Sequence, residues 1–291
     1  MGLHRNDRGI IDGETTIKMH LKRWLTAIVG LPILLFLIGK GPRWIFYTLL
    51  YLASVFGLSE FYRISASNLP RSFRWSIYAI TFFLFFFIYR GEFYFAQVFI
   101  LLWAFVPMTL AMVIAHPHRP ESTGDMGKAL LGPVYVCLPL VMLIIIDRYP
   151  NGNLWILFLV TIIFATDTGA FYFGKFFGKH KLYEAVSPAK TWEGAIGGVL
   201  SSFFVAPVFL FVLAIFHFPP LYRFNLSTLI LILALSAIGQ VGDLVESMLK
   251  RNHGVKDSSR ILPGHGGVLD RIDSLLFAIP LLYVYLWLRI G

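Results

Sequence analysis

Ala195-Ile-Gly-Gly-Val-Leu-Ser-Ser-Phe-Phe-Val-Ala-Pro-Val-Phe-Leu-Phe-Val-Leu-Ala-Ile-Phe216 runs for twenty-two residues without a charged side chain. A helix rises ~1.5 Å per residue, so a run of this length crosses the ~30 Å hydrocarbon core of a bilayer. Working outward, the uncharged runs Trp24–Gly39, Trp44–Ser59, Trp75–Tyr89, Phe93–Ala115, Ala129–Ile146, Tyr149–Thr166, Phe224–Gly242 and Ser274–Leu288 repeat the pattern and bring the expected spans to nine. The first two are short and joined by Lys40-Gly41-Pro42-Arg43, a tight turn, so a shallow or tilted placement is open for them.

Composition agrees. Of the 291 residues, 57% are hydrophobic and only 14% are charged. A soluble domain keeps roughly a quarter of its residues charged. Lipid is therefore the expected solvent, and an all-α, polytopic membrane protein the expected fold, because open strand edges cannot be satisfied in lipid. One transmembrane domain, 23–291, follows a polar tail, 1–22, for which native sequence and an expression tail are both open. That tail lacks the apolar core of a signal peptide. The single cysteine, Cys137, lies in an apolar run and reads as a small filler.

Nine spans with the N-terminus in the cytoplasm put 19 of the 25 Lys and Arg residues on the cytoplasmic side and 6 opposite. The positive-inside rule favours that orientation. In a membrane protein the net charge of +9 points to anionic lipid and anionic substrates and not to nucleic acid. The polar stretches Asp167–Glu193 and Asp243–Asp273 flank two good spans, so they lie on one side and can build one site.

Asp167 follows an apolar run directly, in Ala165-Thr166-Asp167-Thr168-Gly169-Ala170-Phe171. A carboxylate at that depth is a functional candidate by default. Gly169, Gly174 and Gly178 fit helix packing equally well. Ser187-Pro188-Ala189-Lys190-Thr191-Trp192-Glu193 reads as a turn feeding a helix, with Lys190 either binding phosphate or snorkelling. Asp243 and Glu246 stand three apart, on one face of a helix, and Asp270 and Asp273 repeat the spacing. Four hard oxygen donors suit Mg²⁺ and not zinc; salt bridges to Arg251 and Arg271 are the structural alternative. Lys250, Arg251, Lys256, Arg260 and Arg271 surround Pro263-Gly264-His265-Gly266-Gly267, a turn whose N–H groups can approach an anion. Metal-assisted polyphosphate chemistry follows from the combination.

The run Ser247-x-Leu249-Lys250-Arg251-x4-Lys256-Asp257-x-Ser259-x2-Leu262-Pro263-x-His265-Gly266-Gly267-x2-Asp270-Arg271-x-Asp273 resembles the signature of the phosphatidate cytidylyltransferases (CDP-diacylglycerol synthases). Asp167-Thr168-x-Ala170 and Ser187-Pro188-x-Lys190-Thr191-x-Glu193-Gly194 resemble that family as well, with Phe171 where Tyr is expected. The likeness covers the chain from Asp167 onward. It implies transfer of CMP from CTP to phosphatidic acid at the cytoplasmic face, with release of pyrophosphate and Mg²⁺ as cofactor; a second cation is open. It also implies a homodimer. On this basis Asp243, Asp270 and Asp273, supported by Glu246, are the expected metal ligands, and Lys250 and Arg251 act with them. Lys256, Arg260, His265, Gly266, Gly267, Arg271, Asp167 and Lys190 are the expected substrate contacts. A transporter with intramembrane acids and a CTP-using polyprenol kinase are the rival readings. The Asp-x2-Asp-Gly-x2-Ala-Arg core of CDP-alcohol phosphotransferases is absent.

Overall fold

A computed structural model describes residues 30, 32–67, 69–114, 122–222, 225–259, 261 and 266–290. Among them, eight helical segments are long and apolar enough to cross a membrane. Helix α1 is Arg43–Ser65, α2 Arg71–Arg90 and α3 Phe93–Ile114. The next span joins α4 (Ser122–Gly132), one π turn (Pro133–Cys137) and α5 (Leu138–Asp147). Then come α6 (Gly152–Phe177), α7 (Trp192–Ile215), α8 (Leu226–Asn252) and α9 (Leu269–Ile290). The chain is an all-α, multi-pass membrane protein. Of the expected first span, 24–29 and 31 lie outside the described residues, while 30 and 32–39 are helical.

Local sequence accounts for the breaks. The Lys40–Arg43 turn forms as expected, with the Lys40 and Gly41 N–H groups both donating to the Phe36 carbonyl before Pro42 opens α1. Pro133 and Pro139 each lack the N–H that an α-helix needs, and the π turn lies between them. Cys137, in that turn, is buried and in no disulfide, as a filler should be.

Three helices run further than their apolar stretches. α6 continues through Asp167 to Phe177, α8 through Asp243 to Asn252, and α9 begins at Leu269 and not at Ser274. A helix satisfies its own backbone whatever its side chains, so charge alone does not end it. The acids thus sit inside helices and not in their connections.

Ser187-Pro188 does not form a simple turn. Lys181–Tyr183 (β1) and Ser187–Thr191 (β2) make a two-stranded antiparallel hairpin between α6 and α7, pairing Lys181 with Thr191 and Tyr183 with Ser187. Pro188 is tolerated because each strand has a free edge. At its end, the Thr191 hydroxyl accepts from Gly194 N at 3.1 Å and caps α7.

Small residues set the helix spacing. A Cβ added at Gly198 would stand 2.7 Å from the Thr166 carbonyl, and one at Gly194 would stand 2.7 Å from that of Ala170. α6 and α7 therefore touch closely, and Gly169 and Gly174, which fit helix packing in the sequence, do pack there: an added Cβ at Gly169 would meet Ser201 and the Gly197 carbonyl, and one at Gly174 would meet Thr191 and Gly194. Buried hydrogen bonds add to this: Thr166 Oγ1 donates to Ser236 Oγ at 2.8 Å between α6 and α8. α6 and α8 both end, and α7 and α9 both begin, at one end of this bundle.

Candidate active site

That shared end opens into a cavity of about 640 Å³. α6 contributes Asp167, Ala170, Phe171, Gly174 and Lys175, a helical stripe at spacings of three and four. The hairpin adds Lys190, α8 adds Gln240, Asp243 and Lys250, and α9 adds Asp270, Arg271, Asp273 and Ser274. Seven expected site residues are thus brought together: Asp167, Lys190, Asp243, Lys250, Asp270, Arg271 and Asp273.

Lysines hold two of the acids. Lys190 Nζ reaches Asp243 Oδ2 at 2.6 Å from the hairpin, and Lys250 Nζ reaches Asp270 Oδ1 at 2.7 Å from α8 to α9. Lys250 also pairs with Glu246, one turn before it on α8. Asp270 accepts two further short bonds, from Ser258 N at 2.9 Å and Gly267 N at 2.8 Å, and the Ser258 hydroxyl lies 2.9 Å from it. Its carboxylate is therefore fixed on one edge by the loop and on the other by Lys250. Gly266 has φ +80°, a conformation that suits glycine, and an added Cβ would press on Asp270 Oδ2.

Glu246 departs from the expectation. It is fully buried and does not line the cavity, because its position on α8 turns it toward Lys250 and the helix contacts. Arg251 and Lys256 are exposed and also stand away from the lining; Arg251 Nη1 donates to the Val255 carbonyl at 3.2 Å. The alternative that Arg251 braces the acids is therefore not what the helices build. Arg260 and His265 lie outside the described residues.

Among the described residues, no three His, Cys, Asp or Glu side chains form a ready metal-ligand group. Ammonium groups stand between the acids instead. Even so, Asp167, Asp243 and Asp273 share the cavity closely enough for their charges to interact. Carboxylate oxygens are the hard donors that a divalent cation takes, but here Lys190 and Lys250 engage those of Asp243 and Asp270.

Several residues were missed by sequence reasoning. Lys175 stands eight positions after Asp167 and on its face, which helical period alone would have revealed. Asp257 and Gln240 also line the cavity. Glu60, in α1, accepts from the loop that leads into α9, and no local signal connects it to that loop.

A family description, the cytidylyltransferase family, matches residues 21–289. The chain belongs to the cytidylyltransferase family. Within it, this member is 50% identical over 139 residues to a phosphatidate cytidylyltransferase of Staphylococcus haemolyticus (strain JCSC1435), covering 47% of this chain and 50% of that protein. A protein of the same name from Staphylococcus aureus (strain COL) is 51% identical over 139 residues, with 47% and 50% covered. One from Staphylococcus saprophyticus is 44% identical over 165 residues, with 56% and 59% covered. These matches span about half the length of the curated relatives.

Proposed function

We propose that this cytidylyltransferase-family chain transfers CMP from CTP to phosphatidic acid, giving CDP-diacylglycerol and pyrophosphate. The observation that carries the reading is one cavity in which Asp167, Asp243, Asp270 and Asp273 face Lys175, Lys190, Lys250 and Arg271 at one end of a bundle of spans. The relatives named phosphatidate cytidylyltransferase support it.

In the reaction, an oxygen of the lipid phosphate forms a bond to the α-phosphorus of CTP. The bond from that phosphorus to the oxygen shared with the β-phosphate breaks, and pyrophosphate leaves with the electron pair. A phosphate monoester has a second pKa near ~6, so the attacking oxygen is already largely anionic at neutral pH. No side chain is needed to remove its proton. The obstacle is the approach of two polyanions. Fixed cations on rigid helix ends lower it by holding both phosphates in line and by offsetting their charge before the reaction begins.

Asp243, Asp270 and Asp273, with Asp167 beside them, would hold Mg²⁺; Glu246 leaves the proposed ligand set. Bound there, the cation would supply further charge neutralisation on the phosphoryl oxygens. The excess of basic residues on this side supports a cytoplasmic placement of this end of the bundle, where CTP would arrive from water. Phe171 lines the cavity and is 62% exposed, so the cavity wall continues into the apolar outer surface along which a lipid can enter. The homodimer implied by the resemblance belongs to the same reading.

The test is a detergent-purified full-length chain, given α-labelled CTP and phosphatidic acid with and without Mg²⁺. Label in CDP-diacylglycerol together with free pyrophosphate is the expected result. Label in CDP would identify a lipid kinase instead, and CTP left intact with no pyrophosphate released would favour a transporter.

A further inference from the structure

Glu60 lies within an apolar span, is 1% exposed, and has no part in the chemistry above. A carboxylate in that position is costly unless donors surround it. Four do, all from one distant segment: Ser258 Oγ at 2.9 Å, Ser259 Oγ at 2.5 Å, Val268 N at 3.1 Å and Leu269 N at 2.8 Å. The last two are N–H groups at the start of α9, which no carbonyl of the same helix can satisfy. Glu60 thus caps α9 from another helix. One turn along α1, Arg63 donates to the Ser258 carbonyl.

The same segment holds Asp270. The Ser258 hydroxyl is 2.9 Å from an oxygen of each carboxylate, Glu60 Oε2 and Asp270 Oδ2. Its single proton can serve only one at a time, while the Ser258 N–H is committed to Asp270. Gly267 makes the close fit possible, since a Cβ there would stand 2.5 Å from both Glu60 oxygens. Contact runs without a gap from α1, through Ser258 and the start of α9, to a carboxylate in the cavity.

We propose that Glu60 is a positioning residue of the site: with Arg63 it clamps the segment around Ser258 and the first turn of α9, and so aims Asp270 into the cavity without touching substrate. This rests on the cytidylyl-transfer reading. A merely structural carboxylate would stabilise the fold and leave turnover per folded molecule unchanged.

Glu60→Gln keeps the shape but replaces one acceptor oxygen with a donor, so part of the clamp faces donor to donor. In the full-length protein, amide exchange across 258–270 should quicken roughly tenfold or more while α2 and α3 keep their rates. Turnover per folded molecule should fall about 10–100-fold, with KM for CTP within about threefold, as expected for misplacement of a fixed group. Wild-type exchange across 258–270, or wild-type turnover, overturns the proposal. If Glu60→Gln does not fold, Arg63→Met carries the test: faster exchange near Ser258 with lowered turnover supports the clamp, and unchanged exchange there overturns it. Should the unmodified protein make no CDP-diacylglycerol, the functional reading fails, while the exchange measurement still decides the clamp.

Discussion

Gly242 of α8 lies against the carbonyl of Asp273 in α9: a Cβ added at Gly242 would stand 2.6 Å from that oxygen and 3.1 Å from Phe277 Cβ. The residue after Gly242 is Asp243. Absence of a side chain at one position thus lets two acid-bearing helices meet where their carboxylates share a cavity.

Gly242→Ala should therefore force α8 and α9 apart. Backbone cannot yield as a flexible side chain can, so the expected loss is about 1–3 kcal/mol. It should be seen as a lower thermal midpoint in detergent together with reduced turnover. Gly127→Ala in α4, where nothing lies within 4 Å of the added carbon, is the matched control and should lower neither, since Ala favours a helix over Gly.

Lys190 and Asp243 form a bridge at 2.6 Å with side chains 26% and 35% exposed. Partly exposed pairs contribute little to stability, typically under about 1 kcal/mol. Lys190→Met should leave the thermal midpoint nearly unchanged. Turnover should nonetheless fall by about 10-fold or more, because a fixed cation beside the phosphates is lost. A large fall in stability with unchanged turnover would show that Lys190 only anchors the hairpin.

Lys250 is the opposite case. It lies between Glu246 and Asp270, with side chains 1% and 8% exposed. Lys250→Met leaves two buried carboxylates without their cation, and removing one partner of such a group costs about 3–5 kcal/mol. Loss of folded yield should exceed that of Lys190→Met. Adding Glu246→Gln to Lys250→Met should recover part of the loss, which a double-mutant cycle measures.

Removal of Mg²⁺ with a chelator should abolish CDP-diacylglycerol formation, and restored Mg²⁺ should return it. Asp243→Asn should raise the Mg²⁺ concentration needed for half-maximal rate by about 10-fold or more, the scale on which altered metal sites respond. Glu246→Gln should leave that concentration close to wild type. A reversed order would return Glu246 to the ligand set.

Much of this protein is legible along the chain. Runs such as Ala195–Phe216 disclose the spans because hydropathy is a local property that needs no partner. The placement of Asp167, Asp243 and Asp270 at one end follows from counting spans between them. Lys175 was readable too, from helical spacing to Asp167. Glu246 shares a face with Asp243 in an ideal helix, yet only Asp243 lines the cavity, while Glu246 is buried against Lys250.

Sequence alone determined that the chain crosses a membrane many times and that its acids and lysines gather at one end. Tertiary structure decided which of them share a cavity, which ammonium holds which carboxylate, and that Glu60 caps α9. A helix's period fixes each side chain only about that helix's own axis. How far each helix is rotated against its neighbours is set by close contacts such as Gly242 on Asp273 and Gly198 on Thr166, and these exist only once the helices have packed.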